Sequence, residues 1–315
     1  MQTLCGSQQM DIDVIIPVYK PGKELFTLIE RLESQTVPVR QIILMNTEEK
    51  YFEQLVYGTR FPEHHKKVKV YHLSKREFDH GGTRRIGVEK SDAPVFVMMT
   101  QDAMPADDRL IEHLTGALQG KAAVSYARQL PNESCNIQER YVRSFNYPEQ
   151  SFVKSLEDLP RLGIKTYFCS NVCAAYRREI YEELGGFVHH TIFNEDMIFA
   201  AGAVKAGYEI AYAAQARVIH SHNYTIGQQF HRNFDLGVSQ AQHPEIFDGV
   251  KSESEGKKMV IQTAKYLWDQ KLPGKIPALI MQSAGKYMGY LLGKRYQSLP
   301  RSWVIACSDN KDYWK

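Results

Sequence analysis

Residues 95–103, VFVMMTQDA, decide how the rest of the chain is read. Five consecutive apolar residues, Val95, Phe96, Val97, Met98 and Met99, cannot alternate between an inner and an outer face, so they predict a central strand covered on both sides. The run ends in one acid, Asp102, where such a strand leaves its sheet. Ligands of open α/β sheets collect outside the carboxyl ends of strands, and a carboxylate there offers a hard oxygen to a divalent cation. The competing reading is a turn aspartate ahead of Met104 and Pro105, because Asp is common in turns.

Working outward, residues 13–19, DVIIPVY, form a β-branched run stopped by Pro17, as expected of a first buried strand whose end turns toward a site. Leu25, Leu28, Ile29 and Leu32 recur at three- and four-residue spacing and predict a helix between Gly22 and Gln35. Residues 41–45 and 68–73 read as strands with a helix over 51–57 between them; beyond Asp102 follow a helix over 107–119 and a strand over 122–128. This alternation predicts an α/β domain spanning residues 11–245. Residues 131–165 lose periodicity and read as a long irregular insertion, of the kind that carries function or moves. Strand character resumes over 167–176, YFCSNVCAAY; a helix over 177–184 stops at Gly185 and Gly186, and 208–222 read as a strand ending in HSH.

Three groups of residues carry candidate chemistry. In DHGGTRRIGVEK, residues 79–90, a glycine pair precedes a helix, so backbone amides with Arg84 and Arg85 can face a phosphate; a plain tight turn with solvated arginines satisfies the same pattern. Glu195 and Asp196 precede the apolar helical repeat Ile198, Phe199, Ala203 and Val204. Acids in a first turn also complement the helix dipole, by roughly 0.3–1 kcal/mol each, without any further role. His220 and His222 fall on one side of an extended chain and can line a metal site, although such pairs are also structural.

With 315 residues, 43% hydrophobic and 24% charged, the composition is that of a soluble globular protein. The net charge is +3 but unevenly placed: residues 254–302 hold nine Lys or Arg against Glu255 and Asp269. Five cysteines, odd in number and without paired metal-site spacing, predict reduced thiols in a cytosolic protein, with Cys169 and Cys173 in core packing. No apolar run approaches the length of a membrane span, the first ten residues read as a disordered leader with Met10 as an alternative start, and no nucleic-acid-binding module accompanies the basic residues.

Residues 254–303 read as a basic amphipathic helical extension, followed by a tail over 304–315. Gly285, Gly289 and Gly293 repeat every four residues, a stripe suited either to packing on the preceding domain or to self-association as a homodimer. Lysines and arginines interleaved with Tyr266, Trp268, Tyr290 and Trp303 also suit an anionic membrane surface.

Taken in order, IIPVY at 15–19, FDHGGTRR at 78–85, TQDA at 100–103, GGF with NED between 185 and 196, and HSHNYT at 220–225 make the chain resemble the inverting family-two nucleotide-sugar glycosyltransferases of GT-A fold. More narrowly it resembles the bacterial rhamnosyltransferases of polysaccharide and O-antigen assembly. The resemblance implies a Rossmann-like, mainly parallel central sheet flanked by helices, with a C-terminal helical extension. It implies a single displacement at the anomeric carbon with Asp196 as general base and Glu195 as second candidate. It also implies Mg²⁺ or Mn²⁺ on Asp102 with His222 as a further ligand. Donor contacts are expected from Pro17, Tyr19, Asn46, Asp79, Gly81, Gly82, Arg84, Arg85 and Gln101. The implied donor is dTDP-rhamnose, with a UDP-hexose as alternative, and the implied acceptor a lipid-linked saccharide, met in the cytoplasm at the inner face of the membrane.

The sequence departs from the family pattern twice. The Asp-x-Asp motif is reduced to Gln101-Asp102-Ala103, so one carboxylate is left and the donor diphosphate and water are needed to complete a cation's shell. After the second strand, where the family often has an acidic stretch for base and ribose, stand Met45, Asn46, Thr47 and Glu48. A sugar nucleotidyltransferase would need a Gly- and Arg-rich loop after the first strand, where this chain has PVYKPGKE. An inactive GT-A scaffold fits the reduced motif, but the retention of Asp102, Asp196 and His222 favours an enzyme.

Overall fold

The computed structural model describes residues 10–249 and 253–315, so the leader expected ahead of Met10, with Cys5, lies outside the described residues. The strands are β1 (Ile12–Tyr19), β2 (Gln41–Thr47), β3 (Val68–Leu73), β4 (Val95–Met99), β5 (Met104–Pro105), β6 (Ala122–Leu130), β7 (Phe152–Lys154), β8 (Cys173–Arg177) and β9 (Glu209–Ile219). They form one sheet in the order β3-β2-β1-β4-β8-β6-β9-β5, with β7 also on β9. From β3 to β4 all pairings are parallel, as the alternating sequence requires. β8 then runs antiparallel to both β4 and β6, which restores the direction of β4 in β6 and its parallel neighbour β9. The carboxyl ends of β1, β2, β4, β6 and β9 therefore share one edge.

The helices are α1 (Glu24–Glu33), α2 (Glu49–Val56), α3 (Phe61–His64), α4 (His80–Glu89), α5 (Leu110–Gly116), α6 (Ile137–Asn146), α7 (Leu159–Leu162), α8 (Arg178–Glu183), α9 (Glu195–Lys205), α10 (Ile226–Gln242), α11 (Pro244–Phe247), α12 (Glu253–Asp269), α13 (Ile276–Lys294) and α14 (Arg301–Cys307). β4 is buried along its whole length, as expected of its unbroken apolar run. Val95, Val97 and Met99 enter a core with Leu25, Leu28, Ile29 and Leu32 of α1. Phe96 and Met98 enter the opposite core with Val88 of α4 and Phe199 of α9. Side chains of a strand alternate between faces, so one apolar run feeds two layers.

Three segments differ from the sequence expectation. Residues 131–165 are not irregular throughout: they contain α6, whose Asn136 accepts a hydrogen bond from the Glu139 amide at 2.9 Å and caps the helix. Residues 167–172 are not strand; β8 begins only at Cys173, because the preceding backbone bonds to side chains instead. The amine of buried Lys154 donates to the carbonyls of Lys165, at 3.0 Å, and Phe168, and the Asn171 amide is taken by a carboxylate. β9 ends at Ile219, so His220 and His222 lie just past the strand. The four described cysteines are free, three of them buried.

The C-terminal extension is helical as expected, and its glycine stripe is occupied within the chain. A Cβ at Gly289 would stand 2.2 Å from the Phe230 carbonyl oxygen and one at Gly293 2.1 Å from that of Phe234, so α13 lies on α10 backbone to backbone. The opposite stripe of α13 stays open, with Ile280, Met281, Tyr287 and Met288 47–59% exposed. Residues 304–315 pack against the rest of the chain. Val304 is buried with Ile192, Phe234 and Val238, Asp235 accepts from the amides of Asp309 and Asn310, and Tyr313 stacks on His190 at 4.4 Å. Among the described residues no helix is long and apolar enough to cross a membrane.

Candidate active site

Strand register brings the first cluster together. Met104 pairs with Ile219 in an antiparallel ladder, and continuing that register sets Asp102 opposite Ser221, between the two histidines. Asp102 Oδ2 lies 3.1 Å from His222 Nε2 and 3.6 Å from His220 Nε2, and the two imidazole nitrogens are 3.1 Å apart. Burial pushes the Asp102 carboxyl up, but the hydrogen bonds from His220 and His222 outweigh it and hold the group well below the usual carboxylate range. Burial also lowers the pKa of His220, against the pull of Asp102 that raises it.

The histidines are held from behind. Gln129, 3% exposed, accepts on Oε1 from His220 Nδ1 at 2.9 Å and from Arg143, and donates to Ser170 Oγ at 3.0 Å. A carbonyl oxygen can only accept, so His220 donates from Nδ1 to Gln129, which fixes its ring with Nε2 toward Asp102. His222 stacks on Tyr224 at 4.8 Å, and the Arg232 guanidinium of α10 lies 4.9 Å from the other ring. One carboxylate oxygen and two imidazole nitrogens within 4.8 Å of one another are a donor set that fits a divalent cation such as Mn²⁺.

The acidic pair forms the second cluster. Asn194 adopts left-handed backbone, φ 65°, and turns the chain into α9. Asp196 accepts from the Met197 amide at 2.8 Å and from the Asn171 amide at 2.9 Å. Glu195, 4% exposed, pairs with Arg84 Nε at 3.1 Å and accepts from Asn171 Nδ2 at 3.0 Å. Asn171 sits just ahead of Cys173, which pairs with Met99, and the Thr100 amide donates to the Val172 carbonyl at 3.1 Å. The acidic pair and Asp102 thus stand at the same end of β4.

Environment separates the two acids. Burial raises the Asp196 pKa, and the negative charge of Glu195 raises it further, to about 7. Burial acts on Glu195 in the same direction, but Arg84, His80 and Asn171 together bring its pKa below the ordinary value. Glu195 is therefore a fixed anion, and Asp196, which keeps partial solvent access, has the affinity for a proton that a base working near neutrality needs.

The residues expected to contact a donor divide into two sets. Gln101 clasps the end of β1, accepting from the Tyr19 amide and donating to the Tyr19 carbonyl, both at 3.0 Å. This leaves the Tyr19 ring exposed, edge-on to Tyr51 at 5.7 Å, with Lys20 over both rings. Pro17 pairs with Met45 inside the sheet, and buried Asn46 bonds His72 Nδ1 at 2.9 Å while its own Oδ1 is left without a partner. The second set holds a loop. Asp79 caps α4 at the Gly82 amide, 2.7 Å away, and a Cβ on Gly81 would stand 2.0 Å from the Val188 carbonyl oxygen. The glycines thus let the loop at Val188 and His189 approach the start of α4 closely. Arg85 turns away to the carbonyls of Gly185, at 2.6 Å, and Phe187, at 3.2 Å. Of the two arginines, Arg84 alone pairs with the acids.

The family model described as glycosyl transferase family 2 matches residues 13–185, more than half of the chain. The chain belongs to that family. It is a glycosyltransferase, and its sheet and flanking helices are the GT-A arrangement. It is 39% identical to the O-antigen chain rhamnosyltransferase RfbN of Salmonella typhimurium, over 97% of this chain and 96% of that protein. It is 38% identical to the O-antigen chain rhamnosyltransferase WbaN of Salmonella anatum, over 96% and 95%. Among solved structures, the mannosyltransferase PcManGT of Pyrobaculum calidifontis, in complex with GDP-Man and Mn²⁺, superposes with a TM-score of 0.57 at 13% identity, over 98% of this chain and 86% of that one. TarS 1–349 of S. aureus in complex with UDP-GlcNAc gives 0.51 at 14%, over 92% of each chain.

Two residues of the candidate site carry no local signal in the sequence. Asn171 bonds both acids from 24 and 25 positions away, inside a run that reads as strand. Gln129 meets His220 across 91 positions, and only the pairing of β6 with β9 brings them together.

Proposed function

We propose that this glycosyltransferase transfers L-rhamnose from dTDP-rhamnose, with inversion, to a hydroxyl of a growing lipid-linked cell-surface polysaccharide. The rhamnose assignment is supported by two relatives, 39% and 38% identical over nearly the whole chain, that are both O-antigen chain rhamnosyltransferases. The observation that carries the mechanism is the different setting of two adjacent acids: Glu195 is paired with Arg84 and bonded by the Asn171 side chain, whereas Asp196 accepts from two backbone amides, and burial with the Glu195 charge raises its pKa.

In this reading Asp196 takes the proton from the acceptor hydroxyl as its oxygen bonds to the anomeric carbon. The bond from that carbon to the nucleotide diphosphate breaks on the opposite face, and the electron pair leaves with the diphosphate. Glu195, fixed by Arg84 and Asn171, keeps the Asp196 proton affinity high. Asp102, His220 and His222 would hold Mg²⁺ or Mn²⁺, which when bound neutralises charge developing on the leaving diphosphate. Tyr19, beside the Gln101 clasp, offers an exposed aromatic face at the end of β1 for the donor.

A peripheral position on the cytoplasmic face of the membrane follows from a lipid-linked acceptor. It is supported by the open apolar stripe of α13 and by the absence of any Asp or Glu from Gln270 to Ser308.

The test is a donor panel of dTDP-rhamnose, UDP-glucose, UDP-galactose and UDP-N-acetylglucosamine, with and without Mn²⁺. Asp196→Asn is run alongside. We expect hydrolysis or transfer from dTDP-rhamnose that needs the cation, and an Asp196→Asn variant that still binds dTDP with Mn²⁺ but transfers nothing. Preference for a UDP-hexose overturns the rhamnose assignment; wild-type transfer by Asp196→Asn overturns the assignment of the base.

A further inference from the structure

A cavity of about 130 Å³ opens at the carboxyl end of β6, and its walls include Arg128, Gln129, Arg140, Tyr141, Tyr147 and Tyr266. Because β6 runs in the direction of β4, the cavity lies on the sheet edge that carries Asp102 and Asp196, two strands away from β4. One wall is Gln129, whose Oε1 also accepts from His220. A single side chain thus separates the cavity from the candidate cation ligands. The outer wall joins two parts of the chain, since Tyr141 of α6 stacks on Tyr266 of α12 at 4.4 Å.

The lining calls for an anion. No carboxylate contributes to the cavity wall among the described residues. Arg128 has one carboxylate partner, Glu149 at 3.0 Å, whose side chain is 84% exposed, and so open a pair contributes little and is readily displaced. Among the described residues Arg140 has no carboxylate partner and donates to the backbone carbonyls of Glu133 and Cys135, both at 3.4 Å, so no described acid neutralises its charge. Guanidinium groups present forked donors that match phosphate oxygens, and the tyrosines add an amphipathic rim. The size narrows the choice. Pockets that enclose a whole small ligand measure roughly 300–1,000 Å³, so this one suits a single phosphate or sugar unit rather than a nucleotide.

We propose that this cavity is an acceptor subsite that binds a phosphate group of the lipid-linked acceptor through Arg128 and Arg140. The inference rests on the transferase reading above. It gives the acceptor an anchor on the β6 side of the site, while the ends of β1 to β4 remain for the donor. Anchoring there fixes the reach from the phosphate to the hydroxyl presented to Asp196, which limits how many sugars separate the two.

The probe is farnesyl pyrophosphate, titrated calorimetrically into the full chain with dTDP and Mn²⁺ already saturating, so that the donor side is filled. Farnesol and phosphatidylglycerol vesicles serve as the other arms. We expect farnesyl pyrophosphate to bind and farnesol not to. Arg128→Gln and Arg140→Gln should each weaken the pyrophosphate tenfold or more while dTDP binding is unchanged, with partial recovery in Arg140→Lys. Equal affinity for farnesyl pyrophosphate in wild type and both glutamine variants overturns the proposal. So does a loss confined to the vesicles, which would make the cavity a contact for membrane headgroups. Failure of the transferase reading has its own signature: no nucleotide sugar of the donor panel is consumed even though the phosphate site responds to the arginine variants.

Discussion

Replacing Glu195 with Gln separates the two causes that hold Asp196 near neutrality. The amide keeps an oxygen in place of Glu195 Oε1, which accepts from Asn171 Nδ2 at 3.0 Å and lies 3.1 Å from Arg84 Nε, so the shape is kept while the charge is removed. Burial, the larger cause of the raised Asp196 pKa, stays; the repulsion from Glu195 goes, and Arg84 then acts on Asp196 without a counter-charge. Removing that like charge lowers the Asp196 midpoint below about 7. The other groups around the pair do not confuse the reading: burial lowers His80 to about 4 and raises Cys169 to about 12. The sign is fixed. A base must be unprotonated, so activity rises with pH through the Asp196 midpoint, and in Glu195→Gln the rise comes at lower pH. The assay is kcat/KM for the acceptor from pH 4.5 to 9, which reports the free enzyme. An acid limb that stays near pH 7 or moves upward would refute the coupling. Loss of activity in Glu195→Gln together with retained activity in Asp196→Asn would transfer the role of base to Glu195.

Gln129→Leu removes the acceptor on His220 Nδ1, so Mn²⁺ affinity measured by electron paramagnetic resonance should fall by about 10–100-fold, while an unchanged affinity would show that the histidine needs no such support. Arg84→Ala leaves Glu195 buried without its cation and should cost about 3–5 kcal/mol in urea unfolding, whereas a loss below 1 kcal/mol would mean that water reaches the acid. Ile280→Asp with Met288→Asp places two charges on the open stripe of α13; the pair should abolish sedimentation with anionic vesicles at low salt without lowering the unfolding midpoint by more than a few degrees. Equal sedimentation of that variant and wild type would remove the membrane contact.

What the sequence discloses is set by how local the cause is. The burial of β4 is written in five adjacent apolar residues, and α1 in four residues at helical spacing, so both are legible without partners. Asp102 is legible as a strand-end acid, but its meeting with His220 and His222 depends on a two-residue strand, β5, too short to show a pattern. The pair HGG is legible as glycines near a helix start; that they admit the loop at Val188 and His189 follows only from how that loop returns over α4. Arg84 and Arg85 are adjacent in sequence and point to different tasks, because neighbouring positions on a helix lie about 100° apart and only one faces Glu195. The contribution of Asn171 could not be read at all. Its bonds satisfy acids far along the chain, and strand propensity in YFCSNV gives way to that demand.

The C-terminal helices belong to the same argument, since they bear on the catalytic edge and not on themselves. The segment that carries His220 and His222 runs directly into α10, whose start is fixed by a capping box between Thr225 and Gln228. α10 in turn supplies Arg232 to the Tyr224 ring that stacks on His222, and takes α13 along its length through Gly285, Gly289 and Gly293. The last residues close the other side: Asp312 pairs with Lys75 at 2.5 Å, and Tyr313 rests on His190 in the loop over Gly81 and Gly82. The helix pair thus holds the histidine segment on one side and leaves an exposed apolar stripe without Asp or Glu on the other. The glycine stripe of the tail packs on α10 within the chain, and contact of the open face of α13 with a membrane belongs to the proposal above.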